Sequence, residues 1–93
     1  MTIQSFRCAR TEKMFKGERV KQFVNIQTVA MRKLAMLNRA AVLNDLRVPP
    51  GNMLKALKGD RAGQHSVRIN GQWRVCFAWT EQGPKDVEIV DYH

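Results

Sequence analysis

Residues 65–79 read H-S-V-R-I-N-G-Q-W-R-V-C-F-A-W, two alternating runs on either side of Asn70-Gly71. Asn and Gly both tolerate the positive φ of a type I′ turn, so this spacing predicts a β-hairpin turning at that dipeptide. In the second run Trp73, Val75, Phe77 and Trp79 share one side, which predicts a buried face, with Arg74, Cys76 and Ala78 on the other. Past a polar connection, T-E-Q-G-P-K, the stretch D-V-E-I-V-D-Y-H supplies another strand. A three-stranded antiparallel meander is therefore expected at the C-terminus.

Upstream the period changes. Ile26, Ala30, Leu34, Leu37 and Ala41 recur at helical spacing, while Thr28, Arg32, Ala35 and Arg39 fall opposite. This predicts one amphipathic helix laid on the meander, with Met31 and Met36 filling gaps at its flanks. The stretch A-A-V-L-N-D-L either continues that helix or starts another, and Pro49-Pro50 ends it. Thr11, ahead of Glu12 to Lys16 and the stop at Gly17, marks a short helix, and Ile3 to Cys8 alternate as a short first strand. The expected fold class is α+β: a short N-terminal strand, two or three helices, then the meander packed on the long helix. Ninety-three residues suit a single domain over 1–93 with one modest core, so a site should be a surface cleft.

The chain carries 16 Lys+Arg against 8 Asp+Glu, a net charge of +8. The basic excess ends near residue 80, because residues 81–93 hold Lys85 against Glu81, Asp86, Glu88 and Asp91. Such a balance favours a polyanionic partner, nucleic acid before membrane, although a solvated basic surface also accounts for it. Arg32, Lys33 and Arg39 interrupt the most apolar stretch, so no membrane span is expected, and the N-terminus lacks the pattern of a secretory leader. The expected location is the cytosol. Cys8 and Cys76 show no metal-ligand spacing, and the reading includes neither metal nor small-molecule cofactor.

Alternation places Arg68 and Arg74 away from the apolar face, and L-K-A-L-K-G-D-R adds Lys55, Lys58 and Arg61. These five cations should surround one small sheet, with Asp91, Tyr92 and His93 at its border. Metal-independent RNA cleavage requires deprotonation of a 2′-hydroxyl, stabilisation of a charged phosphorane and protonation of a departing 5′-oxygen. Tyr, His, Asp and Lys handle protons, and Arg suits phosphate oxygens. Taken singly, Asp91 also reads as a surface ion pair, Tyr92 as a half-buried strand residue and His93 as a frayed end. Strict alternation puts Asp91 and His93 on the side of Val87 and Ile89, so one site for all three needs a departure from regular strand geometry.

The ordered set of a short N-terminal strand, helices, L-K-G-D-R, Q-W-R and terminal D-Y-H resembles the HigB toxins of the RelE superfamily over essentially the whole chain. The resemblance implies a toxin of a type II toxin–antitoxin pair: a ribosome-dependent, metal-independent endoribonuclease that cleaves messenger RNA in the decoding site. Its implied partners are the 70S ribosome, messenger RNA and a cognate HigA-type antitoxin. Carried over by position, Lys58, Arg74, Asp91, Tyr92 and His93 match the catalytic pattern, with Lys55 standing where some members have His. Lys55, Arg61 and Arg68 are assigned to RNA contacts. Two other readings stay open: a toxin of the same superfamily acting on DNA gyrase, and a non-catalytic RNA-binding module.

Overall fold

The computed structural model of the chain describes residues 2–91. Helix α1 (Ala9–Phe15) and helix α2 (Gln27–Arg39) precede strands β1 (Lys55–Ala56), β2 (Gln64–Arg68), β3 (Trp73–Thr80) and β4 (Gly83–Asp91). Short 3₁₀ turns at Lys21–Phe23, Leu43–Arg47, Pro50–Asn52 and Gly59–Arg61 fill the connections. The strands form one antiparallel sheet in the order β1-β2-β3-β4. The fold is α+β, with helices on one side of the sheet.

The long helix forms where the period predicts it. Ala30, Leu34 and Leu37 are fully buried, and with Ile26 they meet Val67, Val75, Phe77, Val87 and Ile89 of the sheet. Removing this apolar area from water contributes roughly 1.5–3 kcal/mol for each large side chain, the main drive for helix against sheet. Met31 and Met36 pack at the edge of this cluster, as expected of gap-fillers. Ala41 is not part of it: the helix ends at Arg39, extended backbone follows at Ala40, and Ala40 takes the buried place. The stretch 40–46 neither continues α2 nor forms a second α-helix. Asp45 Oδ2 accepts from the backbone N–H groups of Ala41 (2.9 Å) and Val42 (3.2 Å), favouring the tight turn at Leu43–Arg47.

The β2–β3 hairpin lies where Asn70-Gly71 places it, but its turn is different. Neither residue has the positive φ of a type I′ turn. Instead Asn70 Oδ1 accepts from the N–H groups of Gln72 and Trp73, each at 2.8 Å, closing a wider loop between the facing residues Arg68 and Arg74. The next connection is shorter than T-E-Q-G-P-K suggests. Gly83 at φ 126° starts β4, and Thr80 lies opposite it.

A bulge in β4 keeps the apolar residues on one side. The register shifts between Cys76/Glu88 and Ala78/Lys85, inserting one residue in β4 near Asp86, whose φ is 52°. Pro84, Val87 and Ile89 can then all join the helix side, which strict alternation forbids.

The expected first strand is a single parallel bridge between Phe6 and Val87, supported by Gln4 N–H donating to Pro84 O and Arg7 N–H to Val87 O. The meander gains a strand that sequence patterning missed, the two-residue β1. Thr11 lies inside α1 rather than capping it; it is fully buried, and its Oγ1 accepts from Ile89 N–H at 3.1 Å, tying helix to sheet.

Val75 and Phe77 are fully buried, whereas Trp73 and Trp79 are only half-buried against the same core, Trp73 edge-on to Phe23 at 5.6 Å. Phe77→Ala should therefore cost about 3–5 kcal/mol in urea unfolding, and Trp73→Ala less than that. A larger loss at Trp73 would contradict this assignment of the core.

Candidate active site

The sheet side away from the helices is built by register. One cross-strand row runs Lys55, Ser66, Cys76, Glu88, and the next runs Arg68, Arg74, Val90. This places Lys55, Arg68 and Arg74 on one face, as alternation predicts for Arg68 and Arg74; Lys55 joins them through the β1 ladder. The face is not simply solvated, however. Ser66 and Cys76 are fully buried, and Leu57, which extends the β1 ladder through its N–H to Gln64 O, is buried outside the helix-side core.

Arg74 is the most unusual residue of this face, with a relative exposure of only 8%. Its Nε donates to Ser66 Oγ at 2.7 Å, and its Nη2 donates to Met53 O at 2.7 Å and to Ser66 O at 3.4 Å. A buried guanidinium needs such acceptors, because an unsatisfied charged donor is expensive. Arg68 faces it directly across the strand pair, so two like charges share one spot. Stability alone does not favour that pairing; a ligand carrying negative charge would.

Two candidates reach the opposite end of β2. Lys58 is exposed and opens the 3₁₀ turn Gly59–Arg61, whose chain re-enters the sheet at Gln64. Arg61 Nη1 donates to Glu88 Oε1 at 2.8 Å and to Gln64 Oε1 at 3.1 Å. That hydrogen bond raises the Arg61 pKa further, and Arg7 approaches the same Glu88 oxygen at 4.0 Å. Beneath them burial raises the Cys76 pKa, so the thiol stays protonated at neutral pH. Among the described residues no cluster of three or more His, Cys, Asp or Glu could hold a metal ion.

Asp91 faces Trp73 in the register, next to the Arg74/Val90 pair but on the opposite side of the sheet, and its Oδ2 accepts from Gln72 Nε2 at 3.1 Å. It thus reaches the same end of the sheet as Arg68 and Arg74. Tyr92 and His93 lie outside the described residues. His65 points to the helix side, stacked on Phe77 at 6.4 Å, and lines a cleft of about 280 Å³ with Leu43, Asn44, Arg47, Leu54 and Ala56.

Sequence reasoning missed Ser66, Met53 and Glu88. Ser66 was findable, since it alternates in phase with Arg68. Glu88 likewise alternates against Val87 and Ile89. Nothing in the pattern announces a backbone carbonyl such as that of Met53.

Comparisons with known proteins agree with this architecture. The family described as the RelE-like toxin of the type II toxin–antitoxin system HigB matches residues 4–93. The toxin HigB-1 of Vibrio cholerae serotype O1 is 40% identical over 57 residues, covering 61% of this chain and 60% of that protein. An uncharacterized protein of Haemophilus influenzae is 36% identical over 55 residues, covering 59% of this chain and 54% of that protein. The chain therefore spans little more than half the length of these relatives. Because the family match runs through nearly the whole chain, it belongs to the HigB family of RelE-like toxins of type II toxin–antitoxin systems.

Proposed function

We propose that the protein is a ribosome-dependent endoribonuclease that cleaves messenger RNA in the decoding site, with the Arg74 face of the sheet as its catalytic surface. The observation that carries this reading is the Arg74 guanidinium, buried to 8% exposure and held at 2.7 Å by both Ser66 Oγ and Met53 O. A donor fixed before substrate arrives needs little reorganisation when charge develops, the condition under which electrostatic stabilisation of a transition state is strongest.

The reaction forms a bond from the 2′-oxygen to phosphorus and breaks the bond from phosphorus to the 5′-oxygen. A base takes the 2′-hydroxyl proton and an acid returns one to the 5′-oxygen, leaving a cyclic phosphate and a free 5′-hydroxyl. In this division of labour Arg74 and Lys58 neutralise the scissile phosphate. Tyr92 or His93 exchanges the protons, and Asp91 orients one of them. Lys55, Arg61 and Arg68 dock the RNA.

The ribosome supplies what the protein surface lacks. Lys58 and Arg74 sit at opposite ends of β2, and Glu88, the acid of this face, is already engaged by Arg61. Holding the codon in place positions the 2′-hydroxyl for in-line attack, a contribution worth up to ~7–11 kcal/mol in well-oriented systems. Family membership implies an antitoxin, and a chain of net charge +8 suits a HigA-type partner with an acidic contact patch.

Two sets of variants test these roles by single-turnover cleavage on programmed ribosomes. Arg74→Ala should lower the rate by ~10²–10³-fold or more while ribosome binding persists. Arg74→Lys should not restore it, because one ammonium cannot replace a fork that bonds Ser66 and Met53 together. Deleting His93, or changing Tyr92→Phe, should cost ~10²–10⁴-fold, the usual contribution of proton transfer. Stability should stay within ~0.5 kcal/mol for these two, since Val87 to Val90 are untouched. Wild-type rates in Arg74→Ala would remove the face from the mechanism.

A further inference from the structure

Lys33 lies on α2 among core residues, between Ala30 and Leu34, and is only 6% exposed. Its Nζ donates to Asn52 Oδ1 at 2.6 Å. Asn52 is itself fully buried, and its Nδ2 donates to Leu46 O at 3.1 Å, Val48 O at 3.4 Å and Met36 Sδ at 3.7 Å. One side chain from the helix thus locks an amide that gathers two carbonyls of the 46–52 loop and meets Met36 of the same helix.

The residue after this lock is Met53. Its φ of 45° is left-handed, a conformation unfavourable for any residue with a Cβ, and the residue is 59% exposed. Burial of the Met53 side chain therefore does not explain the strain. Its carbonyl does something specific: it accepts Arg74 Nη2 at 2.7 Å.

We propose that Lys33 and Asn52 are positioning residues for the reaction, forming a buried strut from helix α2 that aims the Met53 carbonyl and so orients the Arg74 guanidinium. The proposal rests on the reading of Arg74 as the phosphate-binding group, though its structural half can be tested without it.

The choice of residues supports a positioning role over a simple anchor. A lysine in a hydrophobic cluster loses hydration, and burial, followed by the nearby Arg32 charge, lowers its pKa. Replacing a whole buried ionic pair by apolar residues often costs no stability, and in some proteins such pairs instead fix one geometry. Asn52 uses both ends of its amide here, so rotation or sliding of the loop breaks several bonds at once. The Ser66 hydroxyl holds the other side of the guanidinium. Among the described residues, anchors from two different elements, a strand and a helix-braced loop, hold it.

The test follows the Arg74 Nη2–H resonance, whose proton is donated to Met53 O, by ¹⁵N NMR, assigned by its loss in Arg74→Lys, together with single-turnover cleavage at saturating ribosomes. Lys33→Met removes the donor and keeps a linear side chain; Lys33→Arg keeps a donor. In Lys33→Met the resonance should shift and its solvent exchange accelerate by about 10-fold or more, because an opened hydrogen bond exposes the proton. Cleavage should fall by about 10²-fold at unchanged half-saturation, as for a small misplacement of a catalytic group. Lys33→Arg should recover most of both. Asn52→Asp, which removes the amide donor, provides a second route if Lys33→Met does not fold.

A folded variant with an unchanged Arg74 signal would overturn the proposal, as would slowed cleavage without that spectral change or the spectral change with wild-type cleavage. Unfolding of both variants would assign the pair to stability and overturn it equally. If wild-type protein did not cleave on ribosomes, the ribonuclease reading would fall, and the Arg74 resonance alone would decide the strut.

Discussion

Burying the Arg74 guanidinium sets a demand that distant parts of the chain must meet together. Strand β2 supplies the Ser66 hydroxyl, because Ser66 alternates in phase with Arg68 and lies diagonally beside Arg74. The 3₁₀ turn Pro50–Asn52 delivers the Met53 carbonyl from outside the sheet. Helix α2 packs its apolar side on Val75 and Phe77, the neighbours of Arg74 that point the other way. The helix-side core and the cationic face are thus two sides of the same strand. A shift of β3 by one residue would invert both, which is why its register is so strongly constrained.

Much of this is legible in the amino-acid sequence. Two alternating runs around Asn70-Gly71 locate the hairpin, and the same alternation assigns Val75 and Phe77 to the core and Arg74 to the other face. The step of four, four and three from Ile26 to Leu37 marks the long helix. What escaped the pattern has physical reasons. Lys33 enters the sequence reading only as a break in an apolar run, yet it is buried, its Nζ bonded to Asn52. Residues Lys55 and Ala56 form a strand only because β2 offers an edge, not through any periodicity of their own. Asp86 adds a bulge that resets alternation in β4, and Asn70 closes its turn with a side-chain carbonyl in place of positive φ.

The site was legible as a set of residue types and less so as a geometry. Arg68, Arg74 and Lys55 share the predicted face, and register explains it. Lys58 and Arg61 belong to a turn at the far end of β2, where Arg61 is engaged by Glu88. Asp91 reaches the Arg74 end from the other side of the sheet, where Gln72 meets it. An arrangement spread in this way suits a surface completed by a large, structured RNA better than a self-contained cleft. In the proposed mechanism the ribosome is therefore a part of the site rather than a mere location.

Primer extension on one messenger RNA, incubated with purified protein in the presence and absence of 70S ribosomes, tests that dependence most directly. Cleavage at codon-defined positions should appear with ribosomes alone and vanish for Arg74→Ala in the same mixture. Robust cutting of naked RNA, or equal cutting by Arg74→Ala on ribosomes, would contradict the account.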